Sequence, residues 1–249
     1  MAPEIAGLLV LAAFAAGFVD SIAGGGGLIS MPALLLAGAS PVQALATNKL
    51  QGCFGSGTAM LAYARAGHVR LREQWRMAAV SAAFGAAGAL VARWLPADLL
   101  RVLMPAILIG MALFFALKPG LTDADRAARM TPGVFALTVV PVIAAYDGFF
   151  GPGTGSFFML GFVLLAGFGV LRATAHTKTL NFASNAGSFA VFAGSGGVWW
   201  AVGLMMAAAQ MAGATLGARL AMRVGAGLIR PLLVATCLAM ALRLVGQQL

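Results

Sequence analysis

Long apolar stretches separated by short polar or glycine-rich interruptions dominate this sequence. No charged residue occurs within residues 21–48 or within residues 179–218, which are runs of 28 and 40 residues. One spanning helix needs roughly 20 apolar residues, and these runs are continuous rather than alternating as in a β-barrel. The pattern therefore predicts an all-α polytopic membrane protein with about eight membrane segments, which include two glycine-broken helices or re-entrant hairpins.

The apolar segments form two groups separated by a polar linker. Residues 118–131 contain helix-breaking Pro and Gly and five charged residues, which is typical of a surface loop. We therefore divide the chain into a first transmembrane repeat (1–117), an inter-repeat loop (118–131) and a second transmembrane repeat (132–249). The predicted segments are 5–19, 28–36, 41–66, 76–94 and 99–117, followed by 132–145, 156–167, 172–193, 199–220 and 228–245.

Two glycine-rich breaks interrupt the apolar pattern at matched places. Residues 20–32 read DSIAGGGGLISMP, and residues 146–159 read YDGFFGPGTGSFFM. Asp147 follows Asp20 by 127 positions, and two glycines of each break keep the same offset. The sequence therefore predicts that the halves are duplicates. In each half, unwound backbone leaves amide and carbonyl groups that need polar partners.

The distribution of basic residues indicates how the halves are oriented. If each break lies within one fully crossing helix, the loops on the two sides carry eight and six basic residues. If each break turns the chain back, the two sides carry eleven and three. The positive-inside rule favours the second arrangement, so we predict an inverted repeat with both termini on the outer side.

Composition supports a membrane protein and limits the function classes. Hydrophobic residues make up 61% and charged residues 9% of the 249 residues, too little polar surface for a water-soluble globule. The formal net charge is +9, but the arginines cluster between apolar segments. This indicates that they set the membrane topology and contact anionic lipid headgroups, rather than bind nucleic acid. Cys53 and Cys237 lie in apolar runs, so we predict packing roles, with no disulfide, metal site or cofactor.

Two lysines within apolar segments are the first candidates for function. Lys49 and Lys178 are 129 positions apart, an offset that other residues of the two halves share. A charge near the bilayer centre costs roughly 2.5–3.5 kcal/mol, so both lysines need a compensating role unless they snorkel to the interface. Polar residues share a helical face with each lysine, and interhelical packing is the competing explanation for them. The candidate substrate-binding side chains are Lys49, Lys178, Asn48, Ser56, Thr177, Asn181 and Asn185.

The glycine-rich breaks provide the second part of the predicted site. A helix that starts after such a turn directs free N–H groups and the positive end of its dipole toward the turn, which favours an anion. Two such starts facing each other beside two lysines predict an electropositive pocket near the middle of the membrane. The glycines expected to approach a small anionic substrate through their backbone are Gly24, Gly25, Gly26, Gly151, Gly153 and Gly155.

Three further ionisable residues lie in or beside these stretches. Asp20 and Asp147 could carry a coupling proton, because an acid in an apolar environment readily takes one up. We favour the structural alternative, in which each carboxylate pairs with a lysine or caps the following turn. His176 could act as a pH-sensitive gate, but a hydrogen-bonded helix residue is the simpler expectation.

The residues in and after each break carry a family resemblance. GGGGLISMPAL and ATNKLQ in the first half, and GPGTGSFFML and HTKTLNFASN in the second, resemble the TauE/SafE family of membrane permeases. The resemblance implies a multi-pass protein of the bacterial inner membrane that exports small sulfur-containing anions, sulfite or organosulfonates. We expect the protein to use alternating access, with coupling to protons as an option. Its partners would be the small anion and the lipid bilayer, and it allows a homo-oligomer. The second half has His176 where the first has Thr47, so the halves need not bind symmetrically.

Other function classes stay open at this stage. A cation or metal permease would need clustered acidic, His or Cys residues, and only Asp20, Asp147 and His176 are available. An intramembrane hydrolase could use Ser156 with His176, but the spacing places no acid beside them. A passive anion channel is the alternative to a transporter, and we expect no enzyme activity.

Overall fold

Eight helices make up the part of the chain that the structure describes. The computed structural model describes residues 2–94 and 124–225, where the chain forms helices and no strand. The predicted segments 99–117 and 228–245, and Cys237, lie outside the described residues. The helices are α1 (Pro3–Ala23), α2 (Gly27–Leu36), α3 (Pro41–Arg65), α4 (Leu71–Trp94), α5 (Pro132–Phe149), α6 (Thr154–Leu164), α7 (Val170–Ala193) and α8 (Trp200–Val224).

The helices coincide with the predicted segments, and the main difference concerns the two aspartates. The sequence pattern places Asp20 and Asp147 inside the breaks, whereas both lie in the last turn of a helix, α1 or α5. Helix α1 continues to Ala23 and ends where Gly24 adopts a φ of +83°, a left-handed conformation that glycine tolerates because it has no Cβ. Both carboxylates are therefore held on helical backbone.

Four helices are long and apolar enough to cross a membrane. They are α1, α4, α5 and α8, whereas α2 and α6 contain only 10 and 11 residues. A helix of that length rises about 15 Å, half of a bilayer core of roughly 30 Å. Large apolar side chains such as Leu8 and Leu137 are 66% and 74% exposed, as expected for faces that contact lipid. The chain is therefore a multi-pass membrane protein that also contains two apolar helices too short to cross a bilayer core.

The two halves are packed together by helices of each half that lie on helices of the other. Helices α3 and α7, one from each half, contact each other directly, and each carries a stripe of buried polar residues. Helix α8 packs on α1 and α3, and α4 packs in the same way on α5 and α7. Glycines permit this close approach: a Cβ on Gly213 or Gly217 of α8 would collide with the main chain of α1. Each half thus covers the first helix of the other.

The starts of α3 and α7 are capped by different means. Ser40 accepts a hydrogen bond from the Gln43 N–H at 3.3 Å and donates its own N–H to Gln43 Oε1 at 3.0 Å, which forms a capping box. Gly169 occupies the matched position before α7, and its N–H donates to Asp125 Oδ1 at 2.6 Å. That bond and the Arg172 guanidinium hold the pKa of Asp125 below its usual value. Asp125 of the inter-repeat loop therefore supplies the side-chain acceptor at the start of α7, where the N-cap residue is a glycine.

Replacing Ser40 with alanine is expected to lower the free energy of unfolding by about 1 kcal/mol, because the capping box loses its side-chain acceptor. Chemical unfolding in mixed detergent micelles measures the change. Thr58→Ala is the matched control, since Thr58 bonds only to a carbonyl within the same helix. Equal losses for the two variants would contradict the role of the cap.

Candidate functional site

The two glycine-rich breaks are in direct contact with each other. The Ser156 N–H donates to the Gly24 carbonyl at 3.2 Å, and Ser156 Oγ donates to the Ala23 carbonyl at 2.7 Å. A Cβ on Gly24 would lie 2.7 Å from Gly155 Cα and would collide with the neighbouring main-chain atoms. Glycine at both positions therefore allows the unwound segments of the two halves to touch.

A small cavity lies at this junction. Its volume is about 30 Å³, which accommodates about two water molecules. Its walls come from both breaks and from α3, α7 and α8. The predicted residues that line it are Asp20, Gly24, Asn48, Asp147, Gly151, Gly153, Gly155, Asn181 and Asn185. Gly27 of the predicted glycine run and Gly52, on the predicted face of α3 with Asn48 and Ser56, also line it. The lining residues that the sequence pattern did not single out are Thr154 and Gln210.

The half-length helices α2 and α6 both start at the cavity. Gly27 is the first residue of α2, and Gly155 is the second residue of α6. Neither backbone amide donates a hydrogen bond to an acceptor in the described ranges. Such first-turn amides lie at the positive end of the helix dipole and favour an anion.

Each lysine forms an ion pair with the aspartate of the other half. Lys49 Nζ lies 2.8 Å from Asp147 Oδ1, and Lys178 Nζ lies 3.2 Å from Asp20 Oδ2. Both lysine side chains are fully buried, and each is the ninth residue of its helix, α3 or α7. The interface between the halves therefore contains two buried pairs of opposite charge, as expected if the aspartates have a structural role.

The two aspartates differ in their remaining partners. Asp20 Oδ1 accepts the Gly26 N–H at 3.3 Å, and Lys178 also donates to the Asp20 main-chain carbonyl. Asp147 Oδ2 instead accepts the Ser184 hydroxyl at 2.5 Å. Asp20 thus fixes the first break as well as its lysine, whereas the Asp147 carboxylate is held by side chains.

Because of these ion pairs, the positive potential at the cavity does not come from the lysines, contrary to what the sequence pattern predicts. The walls include both aspartates but neither Lys49 nor Lys178, and each ammonium is neutralised by its partner. The sequence pattern suggested that the lysines would make the pocket electropositive. In this conformation the uncompensated positive potential comes from the helix starts instead. Direct contact of the lysines with substrate stays a prediction.

Carboxamide groups add uncharged donors to the cavity wall. Asn48 Oδ1 accepts hydrogen bonds from Ser30 Oγ at 2.6 Å and from Gln51 Nε2 at 3.1 Å. Asn181 Oδ1 accepts one from Asn185 Nδ2 at 3.2 Å. With their oxygens occupied, Asn48 and Asn181 retain Nδ2 groups that have no acceptor in the described part of the protein. The wall therefore carries two side-chain donors besides the amides of the helix starts.

The other predicted binding residues lie around the junction and not on the cavity wall. Ser56 donates its hydroxyl to a main-chain carbonyl one turn earlier at 2.5 Å, and Thr177 is buried on α7. Gly25 is buried in the first break, and the Gly26 amide is occupied by Asp20. A direct role of these four residues in binding is neither supported nor contradicted by their positions.

His176 lies in an aromatic cluster. Its ring centroid is 5.6 Å from that of Phe162 and 4.8 Å from that of Phe168. No hydrogen bond connects His176 with Ser156, whose hydroxyl donates to the Ala23 carbonyl. The pairing required by the hydrolase alternative is therefore absent from the described residues, in which no three His, Cys, Asp or Glu side chains cluster as metal ligands either.

Gln210 is the main lining residue that sequence reasoning missed. Helix α8 contains no other Asn or Gln, and this position lies within the uncharged run of residues 179–218. The matched position in the first half is Ser81, a different residue type, so the repeat did not mark it. A lone glutamine within a membrane helix is the signal that could have identified it.

Comparison with known proteins identifies the family. Residues 9–244 match the family described as Sulfite exporter TauE/SafE. The chain is 58% identical over 246 residues to the Probable membrane transporter protein ORF9 of Sinorhizobium sp, across 99% of this chain and 94% of the relative. It is 44% identical over 245 residues to the Probable membrane transporter protein YfcA of Escherichia coli K12, across 98% and 91% of the two chains. A Haemophilus influenzae protein named Probable membrane transporter protein is 40% identical over 245 residues, across 98% and 96%. No solved structure matches the chain.

The family match covers both halves and both glycine-rich breaks. The resemblance that the motifs indicated is therefore confirmed, and the relatives agree with the all-helical membrane architecture. A transporter of this kind works in a lipid bilayer on a small-molecule substrate. On these grounds, the chain belongs to the TauE/SafE family of membrane transporters.

Proposed function

We propose that this transporter exports small sulfur-containing oxyanions, sulfite or organosulfonates, across the bacterial inner membrane. The observation that carries the proposal is the convergence of two helix starts and two carboxamides on one cavity. The Gly27 and Gly155 amides and the Asn48 and Asn181 Nδ2 groups are donors without protein acceptors there. A cluster of donors fits an oxyanion, whose oxygens are all acceptors. The description of the matched family as a sulfite exporter supports the sulfur-containing class.

Alternating access is supported by the size of the cavity. Room for about two water molecules is less than an organosulfonate needs, so the walls must separate when substrate enters or leaves. The exchanged packing of α1 with α8 and of α4 with α5 agrees with two halves related by a pseudo-two-fold axis. In an inverted repeat that axis lies in the membrane plane, and the two packings that it relates would open the cavity to opposite sides. An open passive channel would require a continuous water-filled path instead.

Asp147 is the better candidate for a coupling proton. Its carboxylate is held by the Lys49 ammonium and the Ser184 hydroxyl, so a proton on it would release Lys49 while the hydroxyl contact could persist. Asp20 also fixes Gly26 in the first break, and protonation there would disturb the junction itself. Asp147 would therefore carry the coupling proton, whereas Asp20 would hold the junction of the two breaks in place.

Purified wild-type protein is expected to bind sulfite and to transport it in proteoliposomes with saturable kinetics. A ligand at 100 times its Kd stabilises the folded form by about 2.7 kcal/mol, so sulfite and methanesulfonate should raise the Tm, whereas equal concentrations of chloride should not. Asn48→Leu should weaken sulfite binding about tenfold or more, because it removes one donor to a charged ligand. Thermal unfolding and flux of radioactive sulfite provide the two measurements.

Two comparisons decide among the function classes. Flux under imposed pH gradients of either sign tests proton coupling, and Asp147→Asn should remove any dependence on the gradient. Gln74→Met serves as the control variant, since Gln74 is buried at a distance from the cavity wall and bonds to the His176 carbonyl. Stabilisation by divalent cations but by none of the anions would contradict the proposal and favour a cation permease.

A further inference from the structure

Gln210 is a buried side chain with no hydrogen-bond partner in the described part of the chain. It is 4% exposed, lines the cavity from α8, and its Oε1 has no donor within reach. A buried amide oxygen without a donor is destabilising, because it gives up its hydrogen bonds to water and gains none in the protein. Within the described ranges, Gln51, Gln74, Thr177 and Thr179 also have a buried oxygen without a partner, but of these five residues only Gln210 lines the cavity. Its unpaired oxygen therefore lies where a bound solute could supply the donor.

Neighbouring glycines make room for the Gln210 side chain. A Cβ on Gly17 of α1 would lie 2.8 Å from Gln210 Cγ, and a Cβ on Gly55 of α3 would lie 2.7 Å from the same atom. Gly55 also lies close to the amide end, since its Cβ would be 2.9 Å from Gln210 Nε2. Two helices therefore lack side chains where the carboxamide lies beside the cavity.

The other half treats the matched positions differently. Ser81 corresponds to Gln210, and its hydroxyl donates to the Leu180 carbonyl at 2.7 Å. Ser184 corresponds to Gly55 and donates to Asp147. Both hydroxyls are thus occupied within the protein, whereas Gln210 is not. The unpaired carboxamide is a feature of one side of the cavity and does not follow from the repeat.

We propose that Gln210 is a specificity-determining residue that contacts the transported solute as donor and acceptor together. The proposal rests on the oxyanion function proposed above and adds a second requirement to it. Apart from Asn185 Oδ1, which accepts no hydrogen bond in the described residues, the other free groups on the wall are donors that suit the oxyanion oxygens. These donors belong to Asn48, Asn181 and the helix starts. The acceptor of Gln210 requires a ligand that also carries a donor, such as a hydroxyl, an ammonium or an acidic proton. Whichever way the amide is oriented, it presents one donor and one acceptor.

The expected preference is for an oxyanion that bears a donor over the matched oxyanion that bears none. Isethionate and ethanesulfonate provide this comparison, because they have the same charge and differ by one hydroxyl group. Wild-type protein should bind isethionate about tenfold more tightly than ethanesulfonate, as one hydrogen bond to a buried acceptor predicts. Tm shifts over a concentration series of each sulfonate give the two Kd values.

Gln210→Met should reduce that ratio of affinities to about one, because methionine fills the same space without donor or acceptor. The variant should unfold at the same Tm as wild type or a higher one, since it removes an unpaired polar group. Gln74→Met is the matched control: Gln74 is similarly buried and its Oε1 also lacks a donor among the described residues, but it does not line the cavity and its Nε2 donates to the His176 carbonyl. The variant loses that hydrogen bond, so it should lower the Tm and keep the preference for isethionate.

The outcomes separate this inference from the proposed function. If Gln210→Met keeps the wild-type ratio, or if wild type binds both sulfonates equally, Gln210 is not the specificity residue while the oxyanion site stands. If no sulfonate and no sulfite shifts the Tm of wild type, the oxyanion function fails and this inference fails with it. Loss of the ratio in both Gln210→Met and Gln74→Met would assign the effect to general loosening of the fold.

Discussion

Lys49→Ala is expected to destabilise the protein by about 3–5 kcal/mol, because it leaves the Asp147 carboxylate buried without its cation. Both side chains are almost inaccessible, at 0% and 2% exposure, so the carboxylate would be much less hydrated than at the surface once the ammonium is lost. Unfolding in mixed micelles measures this loss, and transport in proteoliposomes should fall with the folded fraction. The pair joins the first half to the second, so its loss also weakens the contact between the halves.

The double variant Lys49→Leu with Asp147→Leu separates the pair from its two members. Replacing both charges by apolar side chains leaves no unpaired charge, so the double variant should be less destabilised than Lys49→Leu alone or Asp147→Leu alone. Lys178→Ala provides the comparison in the other half, where the Asp20 carboxylate would still accept the Gly26 amide. If the two single losses simply add in the double variant, Lys49 and Asp147 do not stabilise each other.

Gly24→Ala is expected to cost about 2–5 kcal/mol and to abolish anion binding. A residue with a side chain at a φ of +83° is strained by about 1–2 kcal/mol, and the overpacked Cβ adds about 1–3 kcal/mol. The new methyl group would collide with the main chain at Gly155 and Ser156, which forces the two breaks apart. The hydrogen bonds of Ser156 to Ala23 and Gly24 would then be lost.

Gly67→Ala is the matched control for backbone strain. Gly67 has a φ of +80°, but no atom lies within 4 Å of the position that its Cβ would occupy. This variant should therefore lose only about 1–2 kcal/mol and retain sulfite binding. Unfolding curves and sulfite-dependent Tm shifts of both variants provide the comparison. Equal behaviour of the two would mean that the contact between the breaks contributes nothing beyond local conformation.

The two ion pairs between the halves explain why the cavity carries no free positive charge although two lysines lie close to it. Each half contributes an aspartate to the lysine of the other, so the charges at the interface cancel in pairs. The helix starts and the carboxamides remain as partial positive charges without a net charge of their own. A site of this kind can release its anion more readily than one that holds it with a free ammonium, which suits a transporter.

The two helices that carry the aspartates extend further than the sequence pattern predicts, and the reason is local. The breaks were expected to begin at the aspartates, but a polar residue does not end a helix when its side chain has a buried partner. Asp20 and Asp147 pair with lysines, and the helices continue beyond them. Helix α1 ends directly before Gly24 and α5 ends two residues before Gly151, and both glycines have positive φ. The preceding turn is therefore helical in both halves.

The sequence by itself determined the membrane class, the positions of the described helices, the two breaks and the family. These features depend on local hydropathy and on glycine, whose effects act within a few residues. Only the tertiary structure decided which aspartate meets which lysine, that the two breaks touch, and that Gln210 lies at the cavity. The paired residues in these contacts are 98 or more positions apart in the chain. The hydropathy pattern within one segment does not encode which of several buried partners a residue will meet.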